Sequence, residues 1–174
     1  MTGVADGIGK ALALAFAKEG AKVAGCSRGA DRLDSLAKEI EGSEHIFFAA
    51  DLSKAEGIRT FFDKVQEDFG GVDVLVNNAG LDSPPSAPPE DTGTFEGYPE
   101  SSWDKVLEVN LKGIFLTCQV YGAEMAKNNY GSIINISSIY GSVSPDQSIY
   151  QYLRDEGNEF YKPISYSVSK SGIL

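Results

Sequence analysis

Tyr166 and Lys170 stand four residues apart, a spacing that on a helix brings both side chains to one face and over the same spot. A free phenol has a pKa of about 10 and a nearby ammonium favours its ionised form; reaching about 7 takes roughly 4 kcal/mol of differential stabilisation. A tyrosine so placed can serve as general acid or base. Near the other end of the chain, Thr2-Gly3-Val4-Ala5-Asp6-Gly7-Ile8-Gly9 puts glycines where a backbone must turn tightly, approach a pyrophosphate and let a helix pack closely on a strand. The helix that this loop opens offers free N–H groups and the positive end of its dipole to phosphates.

These residues need elements to hold them. Apolar residues recur at helical spacing from Ile8 to Phe16, and Gly20 stops that helix. Lys22 to Cys26 and His45 to Ala50 read as short strands, Asp31 to Ile40 and Ile58 to Phe69 as helices. Val72 to Val76 is an aliphatic strand, Trp103 to Met125 is helical in one or two pieces, and Ser132 to Ile136 is a further strand. Such alternation predicts an α/β fold with a parallel sheet covered on both faces, whose ligands bind at the carboxyl ends of the strands. Two stretches break the rhythm: 81–100, rich in Pro, Ser, Gly and acidic residues with a proline run from Pro84 to Pro89, and 142–163, which carries Tyr150, Tyr152, Phe160 and Tyr161. Both read as long loops, which inside a domain are functional or disordered.

The glycine pattern, then Asp51-Leu52, Asn77-Asn78-Ala79-Gly80, Asn110 in Val109-Asn110-Leu111-Lys112-Gly113, Asn135-Ile136-Ser137-Ser138 and Tyr166-x-x-x-Lys170 together resemble, in order and kind, the short-chain dehydrogenase/reductase family. The resemblance runs from Thr2 to the end. It implies a single NAD(P)-binding domain over residues 1–174, a Rossmann-type doubly wound parallel sheet that is incomplete, with the family's first strand and its last strands absent. It also implies hydride exchange between a nicotinamide cofactor and a carbonyl or alcohol, with no metal, because the hydride chemistry belongs to the cofactor. By that resemblance Tyr166 is the acid/base and Ser138, the second serine of its pair, holds the substrate oxygen. Lys170 bonds the nicotinamide ribose, and Asn110 anchors a water that links Lys170 to solvent. Gly3, Asp6, Gly7, Ile8, Gly9, Asn78, Ala79 and Gly80, with Tyr166 and Lys170, fall at cofactor-binding positions, and Asp51 and Leu52 are expected to contact the adenine.

At the end of the second family strand, where NAD-preferring relatives carry an acidic residue, this chain has Ser27 and Arg28, which can bind a 2′-phosphate where a carboxylate would repel it. NADP is therefore favoured over NAD. Asp6 argues the other way, since some NADP users place a basic residue there; its alternative role is N-cap of the first helix. Ser138 and Tyr166 enclose a longer segment than in typical relatives, and aromatic faces with polar neighbours suit a sugar or sugar derivative as well as a small ketone. Ile139-Tyr140-Gly141, the tyrosine-bearing segment and Lys162-Pro163 are similar to bacterial members of surface-sugar biosynthesis. His45, at the entrance of a strand, reads as structural.

The formal charge of −10 opposes binding to nucleic acid or to anionic membrane surfaces. Cys26 and Cys118 lack paired spacing and read as small core hydrophobes in a cytoplasmic enzyme. The resemblance further implies a homo-oligomer for the full-length protein, through helices around 113–128 and from 166 onward. The stretch reads as a fragment that, expressed alone, aggregates or binds cofactor weakly. Two other functions stay open: a nucleotide-binding regulator that has lost catalysis, and a sugar-nucleotide-modifying member of the superfamily, whose shorter spacing Thr-Gly-x-x-Gly-x-x-Gly this sequence lacks.

Overall fold

A computed structural model describes residues 1–42, 44–83, 87 and 91–174; the proline run from Pro84 to Pro89, apart from residue 87, lies outside the described residues. The chain divides into two compact units, one of Met1–Ala79 with Gly113–Ile136 and one of Gly80–Lys112 with Ser137–Leu174.

The first unit alternates helix and strand: α1 (Gly7–Lys18), β1 (Ala24–Ser27), α2 (Ala30–Glu39), β2 (Ile46–Ala49), α3 (Ala55–Phe69), β3 (Val74–Asn77), α5 (Gly113–Asn128) and β4 (Ser132–Asn135). β1 pairs with β2, and β3 with β4, both in parallel. Met1 and Thr2 stand between the pairs: the Cys26 N–H donates to the Met1 carbonyl at 3.1 Å, and the Thr2 N–H donates to the Val76 carbonyl at 2.9 Å. The parallel order is thus β2, β1, residues 1–2, β3, β4. Beyond Met1 a cavity of about 360 Å³ is lined by Val23, Ala24, Val74 and Val76. β4 is left as an edge, with Ile133 and Ile134 exposed, so the doubly wound sheet is incomplete.

Period-two alternation on β2 decides which layer each side chain joins. Phe47 packs with Val4, Ala13, Ala17, Leu33 and Leu36, the buried faces of α1 and α2. Phe48 joins the opposite cluster, where Ile58, Phe61 and Val65 of α3 meet Tyr121 and Met125 of α5. Each such side chain, fully buried, contributes roughly 1.5–3 kcal/mol. His45 closes the turn into β2: its Nδ1 accepts the Val23 N–H at 3.0 Å, and its Nε2 donates to the Glu41 carbonyl at 2.8 Å.

The second unit holds α4 (Glu100–Leu107), a π-type turn over Glu108–Lys112, α6 (Gln151–Asp155) and α7 (Ile164–Ser171). The segment 142–163, read from sequence as loop, contains a 3-10 turn at Gln147–Tyr150 running into α6. Asp146 starts that turn by accepting the Ser148 N–H. Arg154 then ties the segment together, donating to the Phe160 carbonyl at 2.9 Å and the Gln147 carbonyl at 2.7 Å. No helix among the described residues is long and apolar enough to cross a membrane.

Candidate active site

In the first unit the glycine loop is built by close approach. Gly3 has φ +69°, and a Cβ there would lie 2.8 Å from the Ala79 Cα; a Cβ on Gly9 would lie 2.0 Å from the Gly3 carbonyl oxygen. Gly7, at φ +52°, faces open space, so a ligand can reach its backbone. Thr2 locks the loop from below, its hydroxyl accepting the N–H groups of Asn78 and Ala79 at 3.0 Å each. The Asn78 amide donates to the Thr2 and Gly3 carbonyls at 3.2 and 3.0 Å. Asn78 therefore shapes the cradle through its side chain.

Asp6 is the N-cap residue of α1 by position but makes no side-chain cap hydrogen bond. Its carboxylate pairs with Arg32 of α2 instead, which corrects the capping role read from sequence. The first backbone bond at the start of α1 is from Lys10 to the Asp6 carbonyl, so the N–H groups of Gly7, Ile8 and Gly9 lie outside the helix's own ladder. Ser27 ends β1 with Arg28 exposed after it. Asp51, exposed beyond β2, accepts the Ser53 N–H at 3.0 Å; that bond, with Arg28 and Lys54 nearby, holds its carboxyl below the usual carboxylate range against the effect of burial. Leu52 is buried in the core.

Asn77 is buried where sequence reasoning left it unassigned. Its amide donates to the Asn135 side chain at 2.9 Å and its carbonyl accepts the Thr117 hydroxyl at 2.8 Å, joining β3, β4 and α5.

In the second unit α7 begins after Pro163, which sits at its N-cap with an extended backbone. The helix places Tyr166 and Lys170 on one face, with Lys170 Nζ 5.9 Å from the ring centroid. Ser138 Oγ accepts the Tyr140 N–H at 3.2 Å, and Ser138 eases ionisation of the Tyr166 phenol. The adjacent serine is used differently: Ser137 donates to the Lys170 carbonyl at 2.8 Å. Gly141 makes this packing possible, since a Cβ there would stand 2.6 Å from the same carbonyl oxygen.

Asn110 is fully buried. Its Oδ1 accepts the Leu81 N–H at 2.6 Å, and its Nδ2 donates to the Leu81 carbonyl at 2.9 Å and to Ser169 Oγ at 3.1 Å. The side chain thus pins the segment after Gly80 to α7. A Cβ on Gly80 would lie 3.5 Å from Asn110 Oδ1 and 3.6 Å from Lys170 Nζ.

The Tyr166 phenol is also subject to influences that its spacing from Lys170 does not show. Burial pushes the phenol above its ordinary value, Ser138 pulls it back, and the Asp82 carboxylate raises it further. Burial lowers Lys170, with Asp82 acting in the other direction. Sequence spacing places the ammonium correctly but carries no information on desolvation or on a carboxylate contributed by a distant segment.

Sequence reasoning also missed the Asp82–Lys162 ion pair, in which the Lys162 side chain is 6% exposed. One signal was present: Lys162, Tyr166 and Lys170 follow one another at intervals of four.

Residues 1–152 match the model of the short chain dehydrogenase family. The chain belongs to that family. It is 36% identical over 151 residues to a D-threitol dehydrogenase of Mycolicibacterium smegmatis, a match covering 86% of this chain and 55% of that protein. It is 38% identical over 177 residues to a 3-oxoacyl-(acyl-carrier-protein) reductase of Thermotoga maritima, covering 100% of this chain and 62% of that one. A short-chain dehydrogenase structure from Streptomyces avermitilis superposes with a TM-score of 0.80 at 27% identity, over 99% of this chain and 54% of that chain. The chain therefore spans little more than half the length of these short-chain dehydrogenases.

Proposed function

We propose that this short-chain dehydrogenase sequence forms the nucleotide-binding and proton-handling core of an NAD(P)-dependent oxidoreductase that interconverts an alcohol and a carbonyl. The observation that carries the reading is the Lys170 ammonium 5.9 Å from the centroid of the Tyr166 ring, both side chains on one face of α7. The cradle formed by Gly3, Gly7 and Gly9 fits a dinucleotide's phosphates, because Gly7 is open and the first N–H groups of α1 are outside the helix ladder. Bound there, a nicotinamide dinucleotide supplies the two-electron hydride chemistry. The chain's own residues do the rest. Ser138 orients the substrate oxygen, the Tyr166 hydroxyl gives that oxygen its proton in reduction and takes it in oxidation, and Lys170 offsets the negative charge of the phenolate.

NADP is the favoured dinucleotide. Arg28 is exposed at the end of β1 and can pair with a 2′-phosphate. Asp6, the residue that argued for NAD, has its charge opposed by Arg32.

The proposed substrate is a small polyol or sugar. A relative named for D-threitol and another described as a probable galactose dehydrogenase point to this class. Assaying full-length protein with NADP and NAD against linear polyols, aldoses and 3-oxoacyl thioesters tests this. Turnover of polyols or aldoses with NADP is expected; activity confined to the thioesters overturns the substrate class, and no turnover on any of them overturns the enzymatic reading.

A further inference from the structure

Lys162 is not part of the family motif, yet the fold invests in holding it. Its backbone is gripped from both sides by one glutamine: Gln147 Oε1 accepts the Lys162 N–H at 2.9 Å, and Gln147 Nε2 donates to the Lys162 carbonyl at 2.9 Å. Its side chain is buried, with Nζ donating to Asp82 Oδ1 and to the Ser83 carbonyl. The ammonium stands 4.8 Å from the centroid of the Tyr166 ring, nearer than Lys170 at 5.9 Å. Asp82, 49% exposed, supplies the counter-ion from the segment that follows Gly80. The segment after Gly80 and the segment before α7 thus meet in one ion pair against the face of Tyr166.

We propose that Lys162 is a positioning residue for proton transfer: its ammonium fixes Asp82 and balances that carboxylate's charge beside Tyr166. The proposal rests on Tyr166 being the proton-transfer group. The charge logic has a definite sign. Asp82 alone disfavours the phenolate, and Lys162 opposes it at close range. The other ionisable groups on segments packed against α7 are engaged or exposed. Tyr98 is bonded to Ser165 at 2.8 Å, Tyr140 and Tyr150 meet hydroxyl to hydroxyl at 3.4 Å, and Lys105 faces Asp91 at 3.9 Å. Glu100, Asp104 and Lys112 are solvent-exposed and Glu108 is half-buried. Lys170 is the second cation at the ring.

The test is an NMR titration of full-length protein carrying tyrosine isotopically labelled at Cζ, with the Tyr166 resonance assigned from Tyr166→Phe. Lys162→Met is expected to raise the Tyr166 pKa by roughly one unit, Lys162→Arg to leave it near the wild-type value, and Asp82→Asn with Lys162→Met to bring it back. Should Lys162→Met fail to fold, Asp82→Asn alone is expected to lower the Tyr166 pKa. A folded Lys162→Met protein with an unmoved Tyr166 pKa, or an Asp82→Asn protein with an unmoved one, overturns the proposal. A purely packing role for Lys162 would reduce stability without moving that resonance. Because this readout needs no turnover, a protein that shows the shift but reduces no carbonyl defeats the oxidoreductase reading and leaves the charge balance standing, and the converse pattern does the reverse.

Discussion

Tyr166 carries a phenol that its surroundings hold protonated: burial and Asp82 both raise its pKa, and Ser138 works against them. At the residue scale Ser138 sets the first prediction. If Ser138 orients the substrate oxygen as proposed, Ser138→Ala removes that group together with one that eases ionisation of the phenol, so kcat is expected to fall roughly a hundredfold. The basic limb of the pH–rate profile is expected to move upward, because the Tyr166 pKa then rises. Steady-state kinetics across pH measure both; an unshifted limb shows that Ser138 does not tune the phenol. Tyr166 and Lys170 were legible in the sequence as a pair on one helix face, whereas Ser138 was singled out from Ser137 only by the family resemblance. Asp82 and Lys162 were not legible, since they are 80 residues apart and only folding makes them neighbours.

At the scale of elements, the glycine loop and α1 were readable from spacing alone, and so were the parallel strands. What spacing could not show was where Asp6 would turn. An Asp before a helix caps its N-terminus by local geometry, but Arg32 of the next helix competes for the same carboxylate and takes it. The π-type turn at Glu108–Lys112 was equally invisible, because its apolar pattern is that of the helices on either side. π-type turns are frequent at functional sites, and this one carries Asn110. The loop makes a graded prediction. Gly9→Ala drives a Cβ to 2.0 Å from the Gly3 carbonyl and is expected to cost about 1–3 kcal/mol or more through overpacking. Gly7→Ala meets nothing within 4 Å but sits at φ +52°, so only backbone strain of about 1 kcal/mol is expected. Urea unfolding of the two variants ranks them; equal destabilisation would mean that the close approach of Gly9 to Gly3 is not a constraint.

For the whole molecule, the core was legible as an alternation of apolar runs, and the family's double winding appears in the split of Phe47 and Phe48 between two clusters. Cys26 lies within one of them and, as expected from its setting, behaves as a core residue; Cys118 is only half-buried. Burial pushes the Cys26 thiol from 9.0 to about 11, with the Gly3 N–H acting against it. A thiol whose pKa is raised on folding stabilises fully below its unfolded value and loses that contribution as pH rises through its folded one. Stability is therefore expected to fall between pH 9 and about 11, by about 2–3 kcal/mol at the upper end. Denaturant unfolding at the two pH values checks this, with Cys26→Ala expected to lose much less over the interval. An equal fall in both proteins would assign the alkaline sensitivity to other groups.

The most direct test of the account is carbonyl reduction by full-length protein with NADPH, compared between wild type and Tyr166→Phe, with NADPH affinity measured on both. Loss of the phenolic proton is expected to lower kcat roughly a thousandfold, while the dissociation constant for NADPH stays within about threefold, a difference under 1 kcal/mol. A Tyr166→Phe protein that reduces carbonyls at the wild-type rate would contradict the assignment of proton transfer to Tyr166.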